Sequence, residues 1–195
     1  MFYNVILSLA RFLFFFGYRL IVIGRENIPA DGALVCANHT ALNDPIFGAL
    51  ALGNKNHMRF MAKAELFQNP LLGGFLRRLG AFPVHRGKAD IAAIKESLAI
   101  LKSGGKLMLF PEGRRVLANE MEEAKTGAGM LALRSGVQVL PVFISDQKRL
   151  FSRVYVVIGR PYRAAWEGKP GHDAYQAVAD DIMARVEGLR EEIPR

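Results

Sequence analysis

Apolar and polar positions form alternating blocks along this chain, and the blocks predict strands and helices in turn. Short apolar runs bounded by turn residues are typical of buried strands, whereas apolar residues repeated every three or four positions are typical of helices. Strands are predicted at 18–23, 33–37, 58–62, 82–84, 106–110, 137–144 and 154–158. Helices are predicted at 45–52, 91–103, 125–135 and 173–190, and the stretch 64–79 has an amphipathic helical pattern that Pro70 and Gly73-Gly74 interrupt. This alternation predicts a single-domain α/β fold, with a mostly parallel or mixed sheet flanked by helices.

The first 17 residues are almost continuously apolar and aromatic. They include Phe12-Leu13-Phe14-Phe15-Phe16, and Arg11 interrupts the apolar sequence. The uninterrupted stretch is shorter than the roughly 20 apolar residues that a membrane-spanning helix requires. We therefore predict that residues 2–17 form an amphipathic helix in the membrane interface. A helix packed into the protein core and a tilted membrane span are the alternatives.

The charge of the chain indicates which partners it binds, and its cysteine and histidine content limits disulfides and metal sites. The formal net charge is +8, with 26 basic and 18 acidic residues, which favours nucleic acid, anionic lipid or phosphorylated substrates. Because 51% of the residues are hydrophobic, we expect lipid and no nucleic acid. A single cysteine excludes a disulfide framework and a cysteine-based zinc cluster. The histidines outside the motif described next have no partners at metal-ligand spacing, so we expect no metal.

A histidine and an aspartate five positions apart follow the apolar run 33–37, within Asn38-His39-Thr40-Ala41-Leu42-Asn43-Asp44-Pro45. A histidine can take a proton from a hydroxyl near neutral pH, and a carboxylate can fix its tautomer and stabilise the cation. His39 is therefore the candidate base and Asp44 the candidate orienting group. Five positions on a regular helix do not share a face, so a turn at 40–43 must bring the side chains together. Asp44 as the N-cap of the following helix, with Pro45 at its first position, is the structural alternative.

Two further polar segments lie at the ends of predicted strands, Phe82-Pro83-Val84-His85-Arg86-Gly87 and Phe110-Pro111-Glu112-Gly113-Arg114-Arg115. Arg86 is a candidate for bidentate contacts to a phosphate. Lys63, which follows another strand, is a weaker phosphate candidate. Cys36 is a conceivable nucleophile beside His39, but its position in a buried strand predicts an inert thiol.

Together these segments resemble the glycerolipid acyltransferase family, the lysophosphatidate acyltransferases of phospholipid synthesis. The family pattern is Asn-His-x4-Asp, an aromatic-Pro/Ile-x-x-Arg block, Phe-Pro-Glu-Gly-Thr-Arg, and a Val-Pro-Val strand, here 139–142. The order and spacing of these motifs match the family pattern over a region that runs from about Gly24 to about Pro161. The chain departs from the pattern at Arg114, where the family has Thr, and at Val116, where it has Ser.

The resemblance implies the roles of the site residues. It implies a catalytic pair formed by His39 and Asp44, and direct acyl transfer without a covalent intermediate. It implies that Arg86 and Arg115 bind phosphate, and that Glu112 and Gly113 belong to the acceptor site. Glu112 would bind a glycerol hydroxyl or hold Arg86, and both roles stay open. Arg114 would either add a phosphate contact or point to solvent.

The expected reaction moves a fatty acyl group from coenzyme A or acyl carrier protein to 1-acylglycerol 3-phosphate, which yields phosphatidic acid. No cofactor is expected beyond this thioester co-substrate. The expected partners are the lysophospholipid, the acyl donor and an anionic membrane surface. The expected location is the cytoplasmic face of a membrane, with residues 1–17 as the membrane-associating helix and 18–195 as the acyltransferase domain.

Three alternatives remain at the level of the sequence. The first keeps acyl transfer but changes the acceptor to glycerol 3-phosphate, another lysophospholipid or an amino-acid lipid. The second is a hydrolase in which His39 and Asp44 activate water. The third is a non-catalytic basic protein that binds anionic membranes.

Overall fold

The computed structural model describes residues 1–85, 90–113, 126–146 and 148–194. Its strands are β1 (Arg19–Ile23), β2 (Ala33–Ala37), β3 (Met58–Lys63), β4 (Ala81–Val84), β5 (Lys106–Leu109), β6 (Gln138–Ile144) and β7 (Arg153–Ile158). Its α-helices are α1 (Phe2–Gly17), α2 (Asp44–Leu52), α3 (Pro70–Arg78), α4 (Ile91–Lys102), α5 (Thr126–Ser135) and α6 (His172–Gly188). The predicted α/β class is confirmed.

The seven strands form one sheet in the order β1-β7-β6-β2-β5-β3-β4. Strands β4, β3, β5, β2 and β6 are parallel, whereas β6 and β7 are antiparallel and β1 is parallel to β7. The sheet is therefore mixed, which agrees with the predicted mostly parallel or mixed sheet. The carboxyl ends of the five parallel strands share one edge of the sheet with the amino ends of β1 and β7.

Helices cover both faces of the sheet, which explains why the central strands are continuous apolar runs. Leu34 and Cys36 of β2 face the cluster that contains residues of α4, α5 and α6. Ala33, Val35 and Ala37 face the opposite cluster, which contains Phe47 of α2 and is contacted by α1. All five β2 residues are fully buried.

The predicted N-terminal helix is present as α1. Tyr3 and Leu7 are buried against Ala49 and Leu50 of α2, so one side of α1 packs on the protein. The other side exposes large apolar residues: Val5, Leu9, Phe12, Leu13, Phe15 and Phe16. Among the described residues, no helix combines the length and apolar character needed to cross a membrane.

One predicted helix cap is wrong. Asn43 is the N-cap of α2 and Asp44 is the first helical residue, so the carboxylate of Asp44 does not cap the helix. The amphipathic stretch at 64–79 is a 3₁₀ turn at Ala64–Phe67 followed by α3, so the chain is interrupted before Pro70, as predicted, whereas Gly73-Gly74 lies within α3. Asn69 separates the two because its side chain accepts the Leu71 and Leu72 N–H groups, and Pro70 opens the new helix.

Candidate active site

His39 and Asp44 meet at the carboxyl edge of β2. The Nδ1 atom of His39 lies 2.9 Å from Oδ2 of Asp44. The same oxygen accepts the backbone N–H groups of Thr40 at 2.8 Å and Ala41 at 2.7 Å. The turn predicted between the two residues therefore wraps around the carboxylate and closes the five-residue gap. In place of capping α2, Asp44 accepts these bonds from the preceding turn.

The environment of Asp44 keeps it ionised. Burial by itself would raise the pKa of this fully buried carboxyl, but the hydrogen bond from His39, the charge of Lys148 and the Ala41 N–H together lower the pKa below its usual value. An ionised carboxylate only accepts hydrogen bonds. Nδ1 of His39 must therefore carry the proton, which leaves Nε2 as the basic nitrogen.

Lys148 is the residue of this cluster that the sequence analysis missed. Its Nζ forms an ion pair with Asp44 Oδ1 at 2.7 Å and donates to Thr40 Oγ1 at 2.6 Å. The side chain is only 3% exposed. In the sequence, Lys148 lies in the polar segment Gln147-Lys148-Arg149 and resembles a surface lysine. The one feature of the sequence that could have indicated its role is its position after β6. Other polar segments that contain candidate site residues also follow parallel strands.

Two neighbouring contacts fix the backbone and ring of His39. The His39 N–H donates to Oε2 of the buried Glu112 at 2.8 Å, which joins the segments after β2 and β5. The imidazole stacks on Phe110, with ring centroids 4.1 Å apart and planes inclined by 22°. Gly113 has φ +72, and its N–H donates to Phe110 O at 2.9 Å. A tight turn that suits glycine therefore follows Phe110.

Asn38, which precedes the histidine, ties β2 to β6 beyond the end of the strand. Its amide nitrogen donates to Ile144 O at 2.9 Å, and its oxygen accepts the Ile144 N–H at 2.8 Å. The asparagine is buried, so this pair of bonds replaces the ladder where the strand stops. The asparagine therefore holds the backbone from which His39 projects.

The phosphate candidates are only partly placed by the structure. Arg86, Arg114 and Arg115 lie outside the described residues. Lys63 ends β3 at the same sheet edge, is half exposed and pairs with Glu65 at 3.3 Å. The structure thus brings together His39, Asp44 and Glu112, and leaves Lys63 on the surface.

Cys36 does not share this site. It is fully buried on the sheet face covered by α4, α5 and α6, and burial raises the pKa of its thiol. A neutral, inaccessible thiol is a poor nucleophile. This agrees with the prediction of an inert residue.

A second histidine–aspartate pair of the same spacing follows β4. Nδ1 and the backbone N–H of His85 each lie 2.9 Å from Oδ2 of Asp90, which also caps α4 through the Ala93 N–H. The cap at Asp90 was predicted, whereas its pairing with His85 was not. Within the described ranges, His, Cys, Asp and Glu form no group that could hold a metal ion.

A histidine whose free nitrogen is set by a buried carboxylate, at the carboxyl edge of a parallel sheet, is typical of enzymes that deprotonate a hydroxyl. Comparison with known proteins identifies the family. Residues 19–145 match the family model described as Acyltransferase. The chain belongs to this acyltransferase family and is an enzyme of that class.

The chain is similar to two curated members of the family and to one solved structure. The chain is 31% identical over 180 residues to the 1-acyl-sn-glycerol-3-phosphate acyltransferase of Bacillus subtilis, covering 88% of each protein. It is 36% identical over 125 residues to the lyso-ornithine lipid O-acyltransferase of Pseudomonas aeruginosa, covering 62% of this chain and 45% of that protein. The crystal structure of the 1-acyl-sn-glycerophosphate acyltransferase PlsC from Thermotoga maritima matches with a TM-score of 0.74 and 25% identity, over 99% of this chain and 81% of that one.

Proposed function

We propose that this protein is a 1-acyl-sn-glycerol-3-phosphate acyltransferase, which transfers a fatty acyl group from a thioester to lysophosphatidic acid and so makes phosphatidic acid. The observation that carries the proposal is the 2.9 Å contact between His39 Nδ1 and Asp44 Oδ2, in a chain of the acyltransferase family. The B. subtilis relative supports the choice of acceptor.

In the proposed reaction, Nε2 of His39 takes the proton from the free hydroxyl of the acceptor. The hydroxyl oxygen forms a bond to the thioester carbonyl carbon and gives a tetrahedral intermediate. When the carbonyl re-forms, the carbon–sulfur bond breaks, and the imidazolium returns its proton to the departing thiolate. The products are an ester and a free thiol, and no covalent enzyme intermediate is needed.

Asp44 has two roles in this scheme. Its carboxylate keeps the proton on Nδ1 before the reaction, so that Nε2 faces the acceptor. It then stabilises the imidazolium by charge. Lys148 acts through Asp44 as a positioning residue, because its ion pair holds the second carboxylate oxygen and opposes rotation of the group.

The negatively charged acceptor requires cationic residues near the hydroxyl. We assign its phosphate to Arg86 and Arg115, with Arg114 and Lys63 as further candidates. Guanidinium groups suit this role because they bind phosphate oxygens in pairs. Glu112 and Gly113 form the adjoining part of the acceptor site, where the hydrogen bond that the His39 N–H donates to Glu112 links that site to the base.

The acyl donor is coenzyme A or acyl carrier protein, and no other cofactor enters the scheme. Both donors are water-soluble, whereas the acceptor carries an acyl chain. A peripheral position on the cytoplasmic face of an anionic membrane gives access to both. The exposed apolar side of α1 supports this placement.

A lyso-ornithine lipid is a second candidate acceptor, because the P. aeruginosa relative of that name shares 36% identity over 125 residues. The two acceptors differ in charge, since an ornithine head group carries no phosphate. A protein with arginines assigned to phosphate is expected to prefer lysophosphatidic acid.

The deciding experiment supplies acyl-coenzyme A or acyl carrier protein thioester to the purified protein with each acceptor in turn. The panel contains lysophosphatidic acid, glycerol 3-phosphate, lysophosphatidylcholine and lyso-ornithine lipid, and mass spectrometry identifies the products. Phosphatidic acid as the main product supports the proposal, and a main product from another acceptor changes the assignment. Thiol release without any acceptor indicates a hydrolase, and neither product nor thiol indicates a binding protein.

A further inference from the structure

A cavity between α1 and the segment that contains β1 has no role in the proposed acyl transfer. Its volume is about 570 Å³, within the range of about 300–1,000 Å³ typical of small-molecule sites. Its lining residues are Arg11, Phe14, Phe15, Phe16, Tyr18, Arg19, Leu20, Arg25, Leu50 and Phe151. The histidine–aspartate pair does not line it.

The lining combines positive charge with aromatic surface and contains no carboxylate. Among the described residues, the side chains of Arg19 and Arg25 have no hydrogen-bond or ion-pair partner. Arg11 makes only long contacts, at 3.5 Å to Leu50 O and 3.4 Å to Asn54 Oδ1. Three guanidinium groups without a counter-charge favour an anionic ligand.

The apolar part of the lining continues onto the surface. Phe15, Phe16 and Phe151 line the cavity and are also largely exposed. Phe151 has φ +64, which non-glycine residues rarely adopt, and its N–H donates to Gly17 O at 2.6 Å. The chain thus holds an aromatic ring at the cavity mouth in a strained conformation, a feature common at ligand-binding sites.

Aromatic packing separates the cavity from the catalytic pair. Phe14 and Tyr18, which line the cavity, contact Phe47 with ring centroids 5.1 and 5.2 Å away. Phe47 is fully buried in the first turn of α2, just after Asp44. A ligand in the cavity therefore lies behind this aromatic layer and does not occupy the place of the acceptor hydroxyl.

We infer that this cavity binds an anionic phospholipid of the bilayer, separately from the acceptor. Its phosphate lies against Arg11, Arg19 and Arg25, and an acyl chain lies along the phenylalanines of α1 and Phe151. The ligand needs both a phosphate for the arginines and a chain for the aromatic surface, and a phospholipid combines them. The inference rests on the proposed membrane association of α1 and is independent of acyl transfer at His39.

The test measures binding of a soluble short-chain lipid, so that general attraction to a charged membrane does not contribute. Dihexanoyl-phosphatidylglycerol, below its aggregation concentration, is titrated calorimetrically into the purified full-length protein. Saturable binding is expected, with affinity at least tenfold weaker in the Arg19→Glu/Arg25→Glu variant. A charge-assisted contact of about 1.5–3 kcal/mol corresponds to a tenfold or larger change.

Matched controls separate the cavity from net charge and from the catalytic site. Lys95→Glu/Lys102→Glu makes the same charge change on α4, on the opposite sheet face, and is expected to bind as the wild type does. His39→Ala is also expected to bind normally although it fails in acyl transfer. If the wild type binds the lipid but makes no product with any acceptor of the panel, the proposed function fails while the lipid site stands.

Other outcomes overturn the inference. Equal affinity for dihexanoyl-phosphatidylcholine would show that charge is irrelevant, and equal affinity for inorganic phosphate would show that no lipid is recognised. Unchanged binding in the arginine variant would place the site elsewhere. If that variant does not fold, a phosphatidylglycerol with a photoreactive tail is cross-linked to the wild type. Label is expected in the tryptic peptides 12–19 and 150–153, and label only in other peptides contradicts the inference.

Discussion

Lys148 holds the carboxylate of Asp44 from the side opposite His39, with Nζ 2.7 Å from Oδ1. The pair is almost completely buried, and His39 and two backbone N–H groups occupy the other oxygen. The histidine is therefore one end of a chain of interacting groups, His39 to Asp44 to Lys148. Each member fixes the next, which predicts how the protein responds when one is removed.

Replacing Lys148 with methionine is expected to lower kcat by about tenfold or more, a loss of roughly 1.4 kcal/mol of transition-state stabilisation, with little change in KM for either substrate. Without the cation, the pKa of Asp44 rises, so the acid limb of the pH–rate profile moves to higher pH. Steady-state kinetics between pH 5 and 9 measure both effects. An unshifted profile with normal kcat would show that Lys148 only supports the fold.

The double variant Asp44→Asn/Lys148→Met separates stability from catalysis. Breaking a buried ion pair from one side typically costs about 3–5 kcal/mol, because the remaining charge is unpaired. Removing both charges is therefore expected to recover much of the stability lost in Lys148→Met, yet to leave the protein almost inactive. Denaturant unfolding and transfer assays measure this on four proteins: the wild type, Asp44→Asn, Lys148→Met and the double variant. Additive stability losses would argue against the pairing.

The stability of the protein in acid is expected to depend on Asp44. Its pKa is lower in the folded state than the usual value of about 3.9. It therefore contributes stability that is present above pH 4 and is lost as the pH falls through the folded-state pKa. Asp44→Asn removes this contribution, so its free energy of unfolding should fall less steeply than that of the wild type below pH 4. Equal slopes in acid titrations of unfolding would contradict the assignment.

Membrane binding is expected to depend on the exposed side of α1. Phe12, Phe15 and Phe16 are 61%, 77% and 60% exposed, so their replacement with serine should leave the fold intact. Co-sedimentation with anionic vesicles should fall strongly, because each phenylalanine contributes about 1.5–3 kcal/mol when buried. The control replaces exposed Ile91 and Trp166, which lie outside α1. Deleting residues 1–17 is a poorer test, because Tyr3 and Leu7 are buried.

Arg86→Ala is expected to raise KM for lysophosphatidic acid far more than KM for the acyl donor. Arg86→Lys should restore only part of the affinity, because a lysine cannot contact two phosphate oxygens with a planar fork. Kinetics with each substrate varied in turn distinguish the two constants. An unchanged acceptor KM in Arg86→Ala would remove the residue from the phosphate site.

The sequence was sufficient for most of the elements and for the contact between His39 and Asp44, because both depend on local patterns. The run 33–37 predicts β2 by its apolar content, and the five-position spacing of His39 and Asp44 requires only a turn between them. Strand order was not predictable in this way, since β1 pairs with β7 through contacts distant in the chain. Lys148 was missed for the same reason, because its burial depends on how β6 lies beside β2.

The most direct test compares wild type with His39→Ala in acceptor-dependent thiol release from acyl-coenzyme A, with phosphatidic acid measured in the same samples. Circular dichroism and thermal unfolding establish that the variant is folded. Removal of a general base typically lowers the rate by about 10²–10⁴, so release should fall by at least a hundredfold, with phosphatidic acid falling in parallel. A folded His39→Ala protein that makes phosphatidic acid at close to the wild-type rate would contradict the assignment of His39 as the base.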